Sequence, residues 1–471
     1  RNHIHDSVMR LYQIPRLIGA MPIVCAALTT GFLYSPMAAA TRGTPSIAGL
    51  TATDSAAIFP DEVSRRHLVE KSKVIFINGD EGDRASRDSV ESMIMRFYAN
   101  QFRNSQDPEA PYFTFMSKDA NLAMGIGGVI KVRGYFDWAG MVDGGSFCTA
   151  LIEPRSAATK RNLGSSVAGT TIFFTIMGRN TPLGTYQAYI EGGFNGYQNS
   201  GFKLKKAWFQ WNDFTLGLAT TTFSDPAAQP DLLDGAGANG KIDRSNVLLR
   251  YLRTFHNHWS VGGSVEFPSS QIQADDRLTQ KCHDYVPEFA ALGQYQWDRG
   301  QSHIRVAGIL RTMAYVDLVN NRTCHDTGWG VQLSGVVRAG NYVKFFTQNS
   351  VGRGIASYTG DLAAGNYDLL PEPAAEGELY APWTLTSTVG AKAYWMPNLT
   401  STFAVATLRH FPRAGAAPDV YKYGQYLAAN LIYNFTERVQ LGVEYLAGKR
   451  KNVDGSSVNA NRAQAVFTLA F

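Results

Sequence analysis

From Gly127 to Phe471 apolar residues recur with a period of two, and no other feature constrains the fold as strongly. That period belongs to β-strands with one apolar and one polar face. The first such segment sets Ile130, Val132, Gly134, Phe136 and Trp138 against Lys131, Arg133, Tyr135 and Asp137. The last sets Ala463, Ala465, Phe467, Leu469 and Phe471 against Arg462, Gln464 and Thr468. Similar runs occupy 186–194, 259–267, 289–297, 329–337, 385–395, 427–435 and 439–445. Each is roughly ten residues long, enough for a tilted strand to cross a bilayer.

Soluble sandwiches also alternate, so the connections decide between the two. Strands are predicted near 128–139, 170–180, 184–195, 202–211, 213–222, 244–255, 258–267 and 286–297, then 301–314, 327–338, 341–350, 384–395, 399–410, 423–435, 438–448 and 461–471. These sixteen are joined alternately by tight links and by long ones. The long links are 140–169, 223–243, 268–285, 315–326, 351–383, 411–422 and 449–460, with 196–201 the compact exception. Tight turns at one end and long loops at the other mark an outer-membrane barrel. The expected fold is therefore all-β, a sixteen-stranded antiparallel transmembrane barrel. Aromatic pairs at strand ends (Trp208 and Trp211, Tyr295 and Trp297, Tyr394 and Trp395, Tyr433 and Phe435) are expected to form interfacial girdles.

Composition agrees once the period is known. The chain is 45% hydrophobic but only 18% charged, with 45 glycines and 12% aromatic residues. That is too apolar for disorder. After residue 40 no run reaches the ~18 to 20 apolar residues of a spanning helix.

Residues 1–40 read as a secretory signal: a basic stretch over 9–16, an apolar core over 17–33, then Ser35-Pro36 and Met37-Ala38-Ala39-Ala40. Removing them takes away three arginines and one aspartate, so the net charge falls from +5 to +3. No basic cluster argues for nucleic acid. Residues 41–120 are expected to be a periplasmic extension, with a short strand within 73–78. A helix is expected at 86–105, where Val90, Met93, Ile94, Phe97, Tyr98 and Phe102 share a face. The barrel is expected over 121–471.

Sixteen strands enclose a lumen too wide for side chains alone to fill. Lumen-facing positions carry Lys131, Arg133, Arg179, Lys206, Arg250, Arg305, Arg311, Arg338, Lys392 and Arg462 against Asp137, Glu191, Glu266, Glu288 and Glu444. The wall leans basic, which favours anions. Any one of these residues could instead sit in a structural ion pair, such as Arg133 with Glu191. With both chain ends in the periplasm, 223–243 is the third external loop, the one that commonly folds inward in sixteen-stranded barrels of this kind, and it is expected to bring Asp225, Asp231 and Asp234 to a constriction.

No catalytic constellation competes: the histidines have no metal-ligand spacing, no Gly-rich phosphate loop follows a strand, and no cofactor is expected. Cys282 and Cys324 could pair, leaving Cys148 odd. The alternatives to a channel are a surface or adhesion barrel plugged by 41–111, and a lipid-acting barrel enzyme.

Several ordered motifs resemble the DcaP-like family of outer-membrane porins in its Bacteroidetes form. They are Asp107-Pro-Glu-Ala-Pro-Tyr-Phe-Thr-Phe, Leu122-Ala-Met-Gly-Ile-Gly-Gly-Val-Ile-Lys-Val-Arg-Gly, Tyr189-Ile-Glu-Gly-Gly-Phe-Asn-Gly-Tyr, Phe202-Lys-Leu-Lys-Lys-Ala-Trp and Thr222-Phe-Ser-Asp-Pro-Ala-Ala. The resemblance spans about 90–471. It implies a homotrimeric diffusion porin for small anions, notably dicarboxylates, set among outer-membrane lipid and lipopolysaccharide and carrying a helical N-terminal extension.

Overall fold

The computed structural model describes residues 73–76 and, between 113 and 471, all but 118–120, 141, 143, 154–155, 158, 182–183, 195–200, 257, 299–300 and 437. The expected signal segment and the helix at 86–105 lie outside the described residues.

Sixteen antiparallel strands close into a barrel. In chain order they are β1 (Leu122–Trp138), β2 (Thr171–Thr181), β3 (Gly184–Phe194), β4 (Phe202–Trp211), β5 (Phe214–Thr220), β6 (Ser245–Phe255), β7 (Trp259–Glu266) and β8 (Glu288–Trp297). The second half runs β9 (Ser302–Asp317), β10 (Arg322–Ala339), β11 (Val343–Arg353), β12 (Trp383–Met396), β13 (Leu399–Phe411), β14 (Tyr421–Asn434), β15 (Val439–Asn452) and β16 (Ser457–Ala470). Each strand pairs with the next, and β16 pairs with β1 from Asn461↔Trp138 to Ala470↔Val129. Closure satisfies every strand edge, which hydrocarbon demands.

The alternation resolves into an apolar outside and a polar inside. On β13, Phe403 and Val405 are 51% and 40% exposed, while Ala404 and Ala406 are 0% and 1%. Inward positions bury Gln294, Gln332, Ser334, Gln348, Thr388 and Gln464. Among the described residues no helix is long and apolar enough to cross a membrane, so the strands make the crossing. Trp211 and Trp395 belong to the outer face. Trp208 does not: it is buried on the inner face, stacked on Tyr189 at 5.3 Å, and leaves the expected girdle.

The tight turns lie at the end where Phe471 stops. Asn212 and Asp298 hold positive φ there (51° and 50°), a region their short polar side chains tolerate. At the opposite end two expected loops, 315–326 and 449–460, are strand for most of their length, leaving tips of only 318–321 and 453–456. Above the bilayer the outward face no longer has to be apolar and the inward face packs on other segments, burying Tyr315 and Asp317, so the hydrophobic alternation that marks a strand is lost there.

Two short segments ahead of β1 join the sheet. Lys73–Phe76, within the expected 73–78, pairs in parallel with Phe113–Met116, which pairs with β1 at 123–126. This places 113–116 on the same edge of β1 as β16, directly beneath Phe471, whose backbone bonds Gly128 in both directions. A Cβ on Gly128 would stand 2.7 Å from the Phe471 ring, so the position holds glycine.

Candidate functional site

Two long loops, 221–244 and 354–382, fold into the barrel rather than away from it. The first, here called L3, leaves β5 and opens on a short 3-10 turn, Pro226–Ala228. Its first anchor is Asp225, fully buried, which accepts from Ser334 on β10 (2.6 Å), lies 2.8 Å from His303 Nε2 on β9 and faces Arg305 at 3.6 Å. Burial opposes its charge, yet Arg305 and His303 hold the carboxyl below the usual carboxylate range. Gln348 of β11 donates to the Asp225 carbonyl.

L3 then crosses to the far wall. Asp231 pairs with Lys392 on β12 at 2.8 Å, and Asn430 on β14 donates to its carbonyl. The Leu233 amide donates to Glu444 on β15, while its carbonyl accepts from Arg133 on β1. Asp234 accepts from the Tyr426 hydroxyl at 3.0 Å and from the Phe147 amide at 2.9 Å. Glycines on the wall permit this approach: a Cβ on Gly390 would meet Pro230 at 2.7 Å, and one on Gly442 would meet Leu233 at 2.5 Å. The loop returns through an Ile242↔Thr359 bridge to the second loop.

That second loop, L6, is organised by Arg311 of β9. Its guanidinium meets Glu288 at 2.9 Å and Asp368 at 3.1 Å, donates to the Gly354 carbonyl, and lies 5.1 Å from the centre of the Tyr358 ring. Tyr358 in turn donates to Glu288 and packs edge-on to Phe223 of L3. Asp361 receives the Thr149 hydroxyl and the Ala150 amide, tying L6 to the first external loop.

The expected site residues therefore divide into two groups. Arg133, Arg250, Arg305, Arg311 and Arg462 face inward as alternation requires, but all are buried. Arg462 holds Asp137, Arg133 holds the carbonyls of Gly145 and Leu233, and Arg250 donates to the Thr220 carbonyl. Buried guanidiniums of this kind fix loops to the wall. The expected Arg133–Glu191 pair is not made. Glu191 instead faces Lys205 at 3.3 Å and Lys206 at 3.9 Å, because a register shift after Glu191 turns both lysines toward it.

The second group keeps solvent contact. Lys205 and Lys206 of β4 lie near the base of L3, where Lys241 pairs with Asp243 at 2.8 Å. Lys241, and more weakly Lys206 and Lys205, hold the Asp243 carboxyl below its ordinary value. At the turn end Arg338, Lys344 and Lys392 are direct register partners across β10–β12, and Asp231 is the carboxylate paired with this row. Lys131 is half-buried on β1, and Arg179 stands near the turn end of β2. Sequence reasoning missed Lys205, Lys241, Lys344, His303, Asp361 and Asp368. The β4 bulge hides the first, Lys241 and Lys344 gain their place only once loop and wall are folded, and His303, Asp361 and Asp368 meet partners far off in sequence.

Cys148, Cys282 and Cys324 are free thiols. Lys281 pairs with Tyr315, which pairs with Cys324. Cys282 is thus separated from Cys324 by a whole strand, roughly 10 Å, and a disulfide cannot reach that far.

No family model and no curated protein matches this chain. Solved structures do. The outer membrane channel DcaP of Acinetobacter baumannii superposes with a TM-score of 0.66 at 20% identity, over 76% of this chain and 99% of that one. The anion-selective porin from Comamonas acidovorans superposes with a TM-score of 0.51 at 11% identity, over 74% and 100%. The chain has the porin fold. Its closed wall and apolar outer face are those of a barrel of the Gram-negative outer membrane.

Proposed function

We propose that this protein is a passive diffusion channel for small solutes that favours anions, dicarboxylates among them. The observation that carries the reading is the course of L3. It crosses the lumen from Asp225 on the β9–β11 wall to Leu233 on the β15–β1 wall, narrowing the path between its own base and β4. Solvent-reaching cations flank that path. Lys205, Lys206 and Lys241 outnumber Glu191 and Asp243 on one side of L3, and Arg338, Lys344 and Lys392 outnumber Asp231 at the turn end. A lumen with excess positive charge concentrates anions and repels cations. The buried arginines hold the scaffold, and the accessible lysines set the field.

The anion selectivity of the Comamonas porin agrees with this reading, as does the resemblance carried by the motifs over 90–471, which further implies a homotrimer. L6, inward and buried at Ile355, Tyr358 and Leu362, makes the passage narrow.

Planar-bilayer recording of the purified protein tests the proposal. Discrete conductance steps with a reversal potential of anionic sign in a KCl gradient are expected. Absence of steps, or clear cation selectivity, overturns it.

A further inference from the structure

The outer face of β13–β16 carries charge of one sign near its loop end. The inward positions of these strands are fixed by buried His410 and by Arg450, which reaches into the first external loop at the Ala150 carbonyl. Their neighbours Arg409, Lys449 and Lys451 therefore point outward. The remaining outward positions within 401–411, 423–433, 441–451 and 457–469 hold no Asp or Glu. All three cations lie at the loop end, just above the apolar belt marked by Val405, Val443 and Phe467.

Arg409 pairs in register with Tyr423, and Tyr423 with Lys451. The two cations are thus two strands apart, about 10 Å, with Lys449 about 7 Å below Lys451. Arg409 lies over the Tyr423 ring at 5.3 Å. Gln425, Asn459 and Asn461 surround them with neutral hydrogen-bonding groups, and Asn461 already accepts from the Tyr445 hydroxyl. Other arginines of the same barrel end are neutralised: Arg322 by Asp317 and Glu378, Arg353 by Asp326 and Arg413 by Glu372. No ion pair joins Arg409, Lys449 or Lys451 to a carboxylate among the described residues. Of the acids in the adjoining loops, Asp454 caps its own turn at Ser456, and Asp419 offers its carbonyl to Arg450.

We infer that this patch is a binding site for the phosphate groups of a glycolipid in the outer leaflet, whose acyl chains lie along the apolar belt below. Three unneutralised cations at the height of the headgroups and over a hydrocarbon-facing wall fit a phosphorylated amphiphile, and charge complementarity supplies the affinity. The inference rests on the barrel and its orientation and does not depend on conductance.

Native mass spectrometry of the intact protein in detergent tests it, using bis-phosphorylated lipid A, its dephosphorylated form and inorganic phosphate as probes. The wild type is expected to retain phosphorylated lipid A and to bind the dephosphorylated lipid at least about tenfold more weakly. Inorganic phosphate is expected not to displace the lipid at equal concentration. Combining Arg409→Gln, Lys449→Gln and Lys451→Gln is expected to weaken binding about a hundredfold. Combining Arg409→Lys, Lys449→Arg and Lys451→Arg keeps the charge and is expected to keep binding. Equal retention by the neutralised variant, or equal binding of the dephosphorylated lipid, overturns the site. Displacement by inorganic phosphate at equal concentration overturns the lipid as its occupant. Heat-dependent migration of each variant on gels confirms that the barrel is folded.

Discussion

Arg462 grips Asp137 across the seam where the last strand meets the first, Nε to Oδ1 at 2.6 Å and Nη2 to Oδ2 at 2.9 Å, with both side chains wholly buried. The two residues face each other in register, so one fork joins the two ends of the barrel.

Breaking this pair from one side leaves a buried charge without its counterion. Asp137→Asn or Arg462→Met is expected to cost about 3 to 5 kcal/mol. The double substitution is expected to cost less than the sum of the two. Urea unfolding in detergent, followed by tryptophan fluorescence, measures both. Equal costs for the single and double variants at surface-like values would show that the seam does not depend on the pair.

The lysines at the narrowed path carry the selectivity proposal. Lys205→Glu combined with Lys206→Glu replaces two positive charges by two negative ones beside Asp243. The reversal potential in a salt gradient is expected to change sign, and the change should shrink at high ionic strength. An unaltered potential would place the selectivity elsewhere.

Asp225 anchors the start of L3 to three strands. Asp225→Ala removes the partner of His303, Ser334 and Arg305 at once. The loop is expected to loosen, giving larger and noisier single-channel currents at unchanged selectivity. Stability is expected to fall by about 3 kcal/mol or more, because Arg305 remains buried.

Asp361 links stability to pH. Burial pushes its carboxyl up from 3.8 to about 6, against the hydrogen bonds that Thr149 and the Ala150 amide supply. A carboxyl whose folded value is raised favours the fold while protonated. That contribution is full below about pH 4 and is lost as the pH rises through 6. Proteolysis of L6 is expected to be slower at pH 5 than at pH 8, and Asp361→Asn should remove the difference. A wild-type rate independent of pH would refute the linkage.

Much of this architecture can be read from residue order, and the boundary of what can is physical. Membrane-crossing strands other than the bulged β4 show their alternation because one side must be apolar, as Phe403 and Val405 are beside Ala404 and Ala406. The hairpin ends at 315–326 and 449–460 rise beyond the lipid, have no face that must be apolar toward it, and show none. The inward course of L3 is the habit of the third external loop in barrels of sixteen strands, but its anchors are not legible: Asp225 meets His303 and Ser334 through the curvature of the wall, which no local pattern encodes. The predicted Arg133–Glu191 pair failed for a related reason, since a bulge on β4 supplied Glu191 with two nearer lysines. Alternation likewise placed the arginines on the inner face correctly. It could not tell that L3 and L6 would cover them.

The short strand 113–116 has a consequence for how the barrel closes. Arg462 and Asp137 lie 325 positions apart, whereas Phe113 pairs with Ile126 close by in sequence. The lower part of that edge of β1, 123–126, is held by 113–116, and β16 pairs with 129–138 above it. A slip toward that end is blocked, and a slip by one residue would turn every side chain of β16 to the wrong face. The short strand before the barrel thus bounds the edge on which the last strand docks.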